Sequence, residues 1–270
     1  MFFSIIIPTY NRQETLAICL DKLKRSIQQF DDFEVIVSDD GDVTKTINIL
    51  KDKLEHVSFL QGPRKGPAAN RNNGAKNAKG EWLIFLDDDC IPDTDLLNGY
   101  KMEVEKYASI KAFEGRIYVN NKRTRLDEES PVNETGGLFW SCNIMVESEL
   151  FNNIGGFDED YPYACMEDID LRERIGKSNI QFAKNAAVLH PWRRINNFNS
   201  IYKKKCLSHR IFLAKHPEYP NFQKSSYIKN VMFSTKENII QMFKFNFRGY
   251  KYNLYLLKFQ YRFLVYLLLR

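Results

Sequence analysis

The chain has 270 residues, 44% hydrophobic and 27% charged side chains, and a net charge of +5. That composition excludes a disordered or fibrous chain and fits one large α/β domain, or one domain with a small appendage. The charge is uneven: residues 201–270 carry fourteen Lys and Arg against two Glu, +12, so an acidic body of −7 precedes a basic, aromatic tail.

In chain order, Phe2 to Ile7 is an apolar, β-branched run that Pro8 ends, and it predicts a buried first strand. No basic segment precedes it, so it is not expected to be a signal peptide. Leu16, Cys19, Leu20, Leu23 and Ile27 recur at helical spacing. Phe33 to Val37 and Val57 to Leu60 read as further strands, separated by a helical pattern over Ile47 to Leu54. This alternation predicts a parallel, helix-covered sheet with ligands at the carboxyl ends of its strands. Ala68 to Ala78 reads as a helix of small residues, and Trp82 to Leu86 as a strand running into Asp87-Asp88-Asp89. A helix over Leu96 to Ala108 and a strand over Phe113 to Val119 follow. Residues 120–136 are polar and read as a mobile loop, and Phe139 to Val146 as a strand. Gly155-Gly156 predicts a turn, Glu167 to Gly176 a helix, and Phe182 to Leu189 a last strand leading to His190. Pro217 and Pro220 mark a boundary, giving a catalytic region of 1–215 and a helical extension of 216–270. The five scattered cysteines form no C-x-x-C pair, which argues against a zinc ribbon or disulfide framework and for a reducing compartment. No run of about 18 uncharged apolar residues predicts a membrane span.

Three polar clusters fall at predicted strand ends. Asp87-Asp88-Asp89 places three carboxylates in a row, which repel unless a cation or solvent compensates. On an extended backbone Asp87 and Asp89 share one side and Asp88 takes the other, a pattern that suits a hard divalent ion binding substrate phosphates. The other reading is a solvated acidic turn. Ser38-Asp39-Asp40-Gly41-Asp42 can accept hydrogen bonds from a nucleobase or ribose, or is an ordinary Asp-Gly turn. Pro8-Thr9-Tyr10-Asn11-Arg12 can present backbone N–H groups to a phosphate and Tyr10 to a base, or is a helix cap.

These clusters, with Ala68-Ala69-Asn70-Arg71-Asn72-Asn73-Gly74-Ala75, Gly155-Gly156-Phe157-Asp158-Glu159 and Glu167-Asp168-Ile169-Asp170-Leu171, resemble the family 2 glycosyltransferases of the GT-A fold. The resemblance covers residues 3 to about 190, with five motifs in order. It implies a Rossmann-like, mostly parallel central sheet flanked by helices. It implies transfer of a sugar, with inversion, from a nucleotide-sugar, UDP-linked by expectation, to a glycan or lipid-linked saccharide. Pro8, Tyr10 and Arg12 would line the nucleotide pocket, Asp40 would bind the base with Asp39 beside it, and Arg71 would approach the ribose or diphosphate. Asp87 and Asp89 would be the ends of the D-x-D site and hold Mn²⁺ or Mg²⁺, Asp89 most directly and His190 as a further ligand, while Asp88 between them would join Asp87 on the nucleotide-sugar side. Asp168 would be the catalytic base. Read without the family, Asp168 is an N-cap on a charged helix face, and His190 a packed strand end. The pattern departs from the family where Met166 replaces a frequent Gly and Asp42 a usual Ser. Arg193, Arg194, Trp140 and Gly136-Gly137 are further candidates for phosphate or acceptor contacts. A catalytically silent nucleotide-sugar-binding scaffold is the competing function.

In the tail, Lys244, Arg248, Lys251, Lys258 and Arg262 share an arc of about 80° if 244–262 is one helix. Phe, Tyr and Leu fill most of the rest. That predicts an interfacial helix on an anionic membrane, and a protein peripheral to the cytoplasmic face, unless the helix packs on the catalytic domain. No nucleic-acid module is present.

Overall fold

The computed structural model describes residues 2–28, 30–50 and 57–270. In order these form β1 (Phe3–Thr9), α1 (Gln13–Ile27), β2 (Phe33–Asp39), α2 (Val43–Leu50), β3 (Val57–Gln61), α3 (Pro67–Lys76) and β4 (Trp82–Leu86). Then come β5 (Ile91–Pro92), α4 (Leu96–Lys106), β6 (Ala112–Tyr118), β7 (Glu128–Glu129), β8 (Asn143–Glu147), α5 (Ser148–Asn153) and α6 (Glu167–Ile175). The chain finishes with β9 (Ile180–Leu189), β10 (Arg193–Arg194), α7 (Phe198–Lys215), α8 (Lys224–Lys244) and α9 (Tyr250–Leu269). The helix expected over Ile47 to Leu54 is α2, which starts earlier; residues 51–54 lie outside the described residues.

Two compact units emerge, 1–120 with 131–191, and 121–130 with 192–270. The first holds an eight-stranded mixed sheet in the order β3-β2-β1-β4-β8-β6-β9-β5. β1 pairs in parallel with β2 and β4, β2 with β3, and β6 with β9. β8 runs antiparallel to both β4 and β6, so the mostly parallel sheet has one reversed central strand. Ile5, Ile6 and Ile7 are fully buried, because helices cover both faces. Ile5 and Ile7 join one core with Leu16 and Leu20 of α1, whereas Ile6 joins the opposite core with Phe85, Phe151 and Leu171. Register sets Thr9 beside Asp39, so the polar segments after β1 and β2 emerge side by side.

The expected strand over Phe139 to Val146 begins only at Asn143. Gly136, Gly137 and Phe139 have positive φ, and buried Glu114 accepts N–H groups from Gly137, Leu138 and Phe139. Those amides serve a carboxylate instead of a ladder.

In the second unit, residues 120–136 are not the plain loop expected from their polarity. β7 within them pairs antiparallel with β10, and Asp127 accepts from Arg125 at 2.8 Å and Arg194 at 3.4 Å. α8 and α9 form an antiparallel hairpin, in which Tyr227 meets Phe263 and the Thr235 and Tyr261 hydroxyls lie 3.1 Å apart. α7 contributes Phe212 and His209 to the same aromatic core as Phe222, Phe259 and Phe263. The single helix assumed over 244–262 does not exist: Asn246, Phe247 and Gly249 all have positive φ and divide α8 from α9. The shared cationic arc is therefore lost, since Lys244 belongs to α8, Arg248 to the turn, and Lys251, Lys258 and Arg262 to α9. Among the described residues no helix is long and apolar enough to cross a membrane.

Candidate active site

The site is built at the carboxyl edge of β1, β2 and β4 in the first unit. α3 approaches closely because its sequence is small: a Cβ on Gly74 would lie 2.5 Å from Ile6 Cγ2. Its successive polar residues then reach five different segments. Asn70 Nδ2 donates to the Ser38 carbonyl at 2.9 Å and the Thr9 carbonyl at 3.2 Å, joining the ends of β1 and β2. Arg71 donates to Asp87 at 2.7 Å and to Glu167 at 3.3 Å, and its guanidinium stands 5.5 Å from the Phe157 ring centre. Asn72 exchanges two hydrogen bonds with the Phe157 backbone, at 2.7 and 2.9 Å, fixing the Gly155-Gly156-Phe157 turn. Arg71 is buried. Burial works against its charge, but Asp87 and Glu167 more than offset this, and its pKa is raised.

The three adjacent aspartates do not alternate as an extended strand would have them. β4 ends at Leu86, and residues 87–90 turn, with Cys90 N–H donating to the Asp87 carbonyl at 3.1 Å. Asp88 and Asp89 consequently both pair with Arg12, and Asp87 alone faces Arg71. Asp88 also accepts from the Thr9 hydroxyl at 2.6 Å. Burial pushes Asp88 up to about 7, against the opposing effects of Arg12 and Thr9.

Asp89 Oδ1 lies 3.3 Å from His190 Nε2. His190 is fully buried, and its Nδ1 lies 3.0 Å from the Pro191 carbonyl, an acceptor only, so Nδ1 donates there and Nε2 is the ring nitrogen turned toward Asp89. Ligand atoms of Asp89, Cys90 and His190 lie within 4.8 Å of one another. A carboxylate oxygen and an imidazole nitrogen converging in this way fit a divalent cation. Cys90 fits less well, because its hydrogen bond to Cys142 and its burial keep the thiol protonated. Asp87 is not in this cluster.

Asp168 sits half-buried at the first turn of α6. Its Oδ1 accepts the Ile169 N–H at 2.8 Å, and the Ser141 N–H also reaches it. Burial outweighs these two donors and Arg71, so its pKa is raised, as is that of buried Glu167 beside it. Met166 before them holds φ 77°, the left-handed conformation that a Gly there would adopt without strain.

The remaining sequence candidates are placed as follows. Pro8 is buried within β1, and Tyr10 is 62% exposed with its ring free to stack. Asp40 is buried and accepts N–H groups from Arg64 at 2.8 Å and Gly66 at 3.2 Å; burial nonetheless raises its pKa. Asp39 has no exposure, and its two oxygens accept from Gly41 N–H and the Thr46 hydroxyl, so it closes its own turn within the fold. Trp140 is half-buried against the first core, and Arg193 and Arg194 belong to the second unit. Sequence reasoning missed Thr9, Asn70, Asn72 and Glu167. Four consecutive polar residues from Asn70 to Asn73 inside a short helix were the available signal, because Asn is a poor helix former unless its amide is used.

Residues 4–149 match the family described as Glycosyl transferase family 2. A Campylobacter jejuni protein named GalNAc(5)-diNAcBac-PP-undecaprenol beta-1,3-glucosyltransferase is 45% identical over 216 residues, covering 77% of this chain and 54% of that protein. A poly(ribitol-phosphate) beta-glucosyltransferase from Bacillus spizizenii is 36% identical over 116 residues, covering 41% of this chain and 18% of that protein. The chain thus spans about half or less of the length of these relatives. Among solved structures, Staphylococcus aureus TarS 1–349 in complex with UDP aligns with TM-score 0.56 at 20% identity, covering 79% of this chain and 66% of that one. The mannosyltransferase PcManGT of Pyrobaculum calidifontis, in complex with GDP-Man and Mn²⁺, aligns with TM-score 0.57 at 19% identity, covering 75% and 60%. At such identities these structures establish a shared GT-A-type fold.

Proposed function

The chain belongs to the family 2 glycosyltransferases, and from that premise we propose that it transfers a sugar with inversion from a UDP-sugar to a glycan or lipid-linked saccharide. The observation that carries this reading is the Arg71 bridge, which ties Asp87 after β4 to Glu167 at the start of α6. It holds the proposed base, Asp168, and the acidic turn in one rigid frame. Asp168 takes the proton of the acceptor hydroxyl as that oxygen attacks C1 of the donor sugar. The bond from C1 to the diphosphate breaks on the opposite face, which inverts C1. A raised carboxylate pKa, as Asp168 has, makes it a stronger base than a solvated Asp. Asp89 and His190 would hold a divalent cation, Mn²⁺ or Mg²⁺, which when bound supplies positive charge to the leaving diphosphate. Arg12, now paired with Asp88 and Asp89, would turn to the diphosphate. Exposed Tyr10 would stack on the base, with Asp40 at its edge and Pro8 as the pocket wall.

UDP is favoured by the fold neighbour that carries it, and a lipid-linked acceptor by the PP-undecaprenol in the Campylobacter relative's name. The cytoplasmic side is the proposed location, in keeping with five scattered cysteines that form no C-x-x-C pair.

The test is UDP-sugar turnover with and without Mn²⁺. Asp168→Asn is expected to lose turnover by about 10²–10⁴-fold while binding UDP as before in calorimetry. Asp89→Ala is expected to lose the Mn²⁺-dependent part of UDP binding as well. Undiminished turnover in Asp168→Asn would remove the base assignment, and UDP-sugar binding without any turnover in the parent chain would favour the silent scaffold.

A further inference from the structure

The second unit carries nineteen Lys and Arg against five Asp and Glu, +14, and the α8–α9 hairpin from 224 to 270 carries nine against the single Glu237. One face of α8 has no cover. Met232 is 68% exposed, Phe233 66% and Phe243 66%, with Ile228, Ile239 and Ile240 also exposed. At 100° per residue from Ile228, Ile239, Met232 and Phe243 fall at about 20°, 40° and 60°. Lys236 and Lys229 follow at about 80° and 100°, and Ile240 and Phe233 at about 120° and 140°. Lys229 and Lys236 thus stand between two apolar ridges, both exposed, and no carboxylate pairs with either among the described residues. The opposite side of α8 buries Tyr227 and Val231 against the hairpin core, so this face is surplus to the packing of the unit.

We propose that this face of α8 docks on an anionic lipid surface. Phe233, Phe243, Met232 and the isoleucines enter the headgroup boundary, and Lys229 and Lys236 extend along it to lipid phosphates. The charge selects this occupant. A second copy would bring the same +8 hairpin and be repelled, whereas an anionic bilayer complements it. Four of the six exposed apolar side chains are aliphatic, and they offer no ring for a nucleobase to stack on. The inference does not depend on the transferase reading, although a lipid-linked acceptor would profit from it.

The experiment is co-sedimentation of the full chain with phosphatidylcholine vesicles and with vesicles containing about one third phosphatidylglycerol. Binding is expected only to the second, and weakening as salt rises. Phe233→Ser with Phe243→Ser should reduce partitioning at least tenfold, and Lys229→Gln or Lys236→Gln about fivefold each. All these positions are exposed, so thermal melting should not change, and UDP-sugar hydrolysis in solution should stay at the parent level, which separates this test from the enzymatic one. Failure of the parent chain to sediment with anionic vesicles, equal binding to neutral ones, or unaltered binding by the variants would overturn the proposal. So would a dimer in light scattering that Phe233→Ser dissolves, since that would give the face to a second copy.

Discussion

Arg71 illustrates how one residue organises this site. A buried guanidinium needs its carboxylate partners, and Glu167, equally buried, is held against Arg71, whereas Asp87 also reaches solvent. Arg71→Ala should therefore destabilise the chain by about 3–5 kcal/mol in urea unfolding, because Glu167 would be left buried without its counter-charge. At Asp168 the raised pKa carries a pH signature. The carboxylate must be ionised to accept a proton, so turnover should fall as pH drops through a pKa above the ordinary Asp value of about 3.9. A pH–rate profile whose acid limb lies at or below that value would contradict the burial seen here. At this scale the residue types were legible, but their partners were not. Asp87 to Asp89 announced a charged site, while the turn at 87–90 sent Asp88 and Asp89 to Arg12 and Asp87 to Arg71.

Among the elements, α4 and β9 show how closely the layers must approach. A Cβ on Gly99 would overlap the Ala186 backbone, and neighbouring Tyr100 places its hydroxyl 2.8 Å from Asn143 Oδ1 inside the sheet. Gly99→Ala is expected to lower the unfolding free energy measured in urea by about 1–3 kcal/mol through overpacking, despite the better helix propensity of Ala. Lys101→Ala, exposed one residue beyond Tyr100, should change it by less than about 0.5 kcal/mol. The long apolar strands β1, β2 and β4 were readable because burial on both faces demands an unbroken apolar run. The two-residue strands β5, β7 and β10 were not, because each owes its existence to a partner remote in sequence. The tail helix failed for a local reason instead: Gly249 and Asn246 were visible, and the left-handed turn they build divides one predicted helix into two.

For the whole molecule, the charge asymmetry survives folding and sharpens. The first unit holds twenty Lys and Arg against twenty-nine Asp and Glu, and the second holds the +14. The second unit also has an acid-sensitive core. His209 lies among Phe222, Phe259 and Phe263 at 4.9–5.5 Å, and burial lowers its pKa to about 4. Its unfolded value is about 6.5, so the unfolded chain binds the extra proton between those limits and stability is lost as pH falls through them. An acid destabilisation on the order of 2 kcal/mol between pH 6.5 and 4 is expected, and His209→Leu should remove that part of it. A stability difference between parent and His209→Leu that does not vary with pH would show that the imidazole is not buried neutral.

The amino-acid sequence by itself determined the alternation of long strands and helices from β1 to β4, the family, and the identity of the charged residues. Hydrophobic period and short motifs are local properties, and they are written along the chain. Only the tertiary structure decided that Asn70, Arg71 and Asn72 bind five separate segments, that Asp89 meets His190 across about a hundred residues, and that Asp39 turns inward. A buried polar group takes whichever partner the packed layers bring within about 3 Å, and no spacing along the chain encodes that choice.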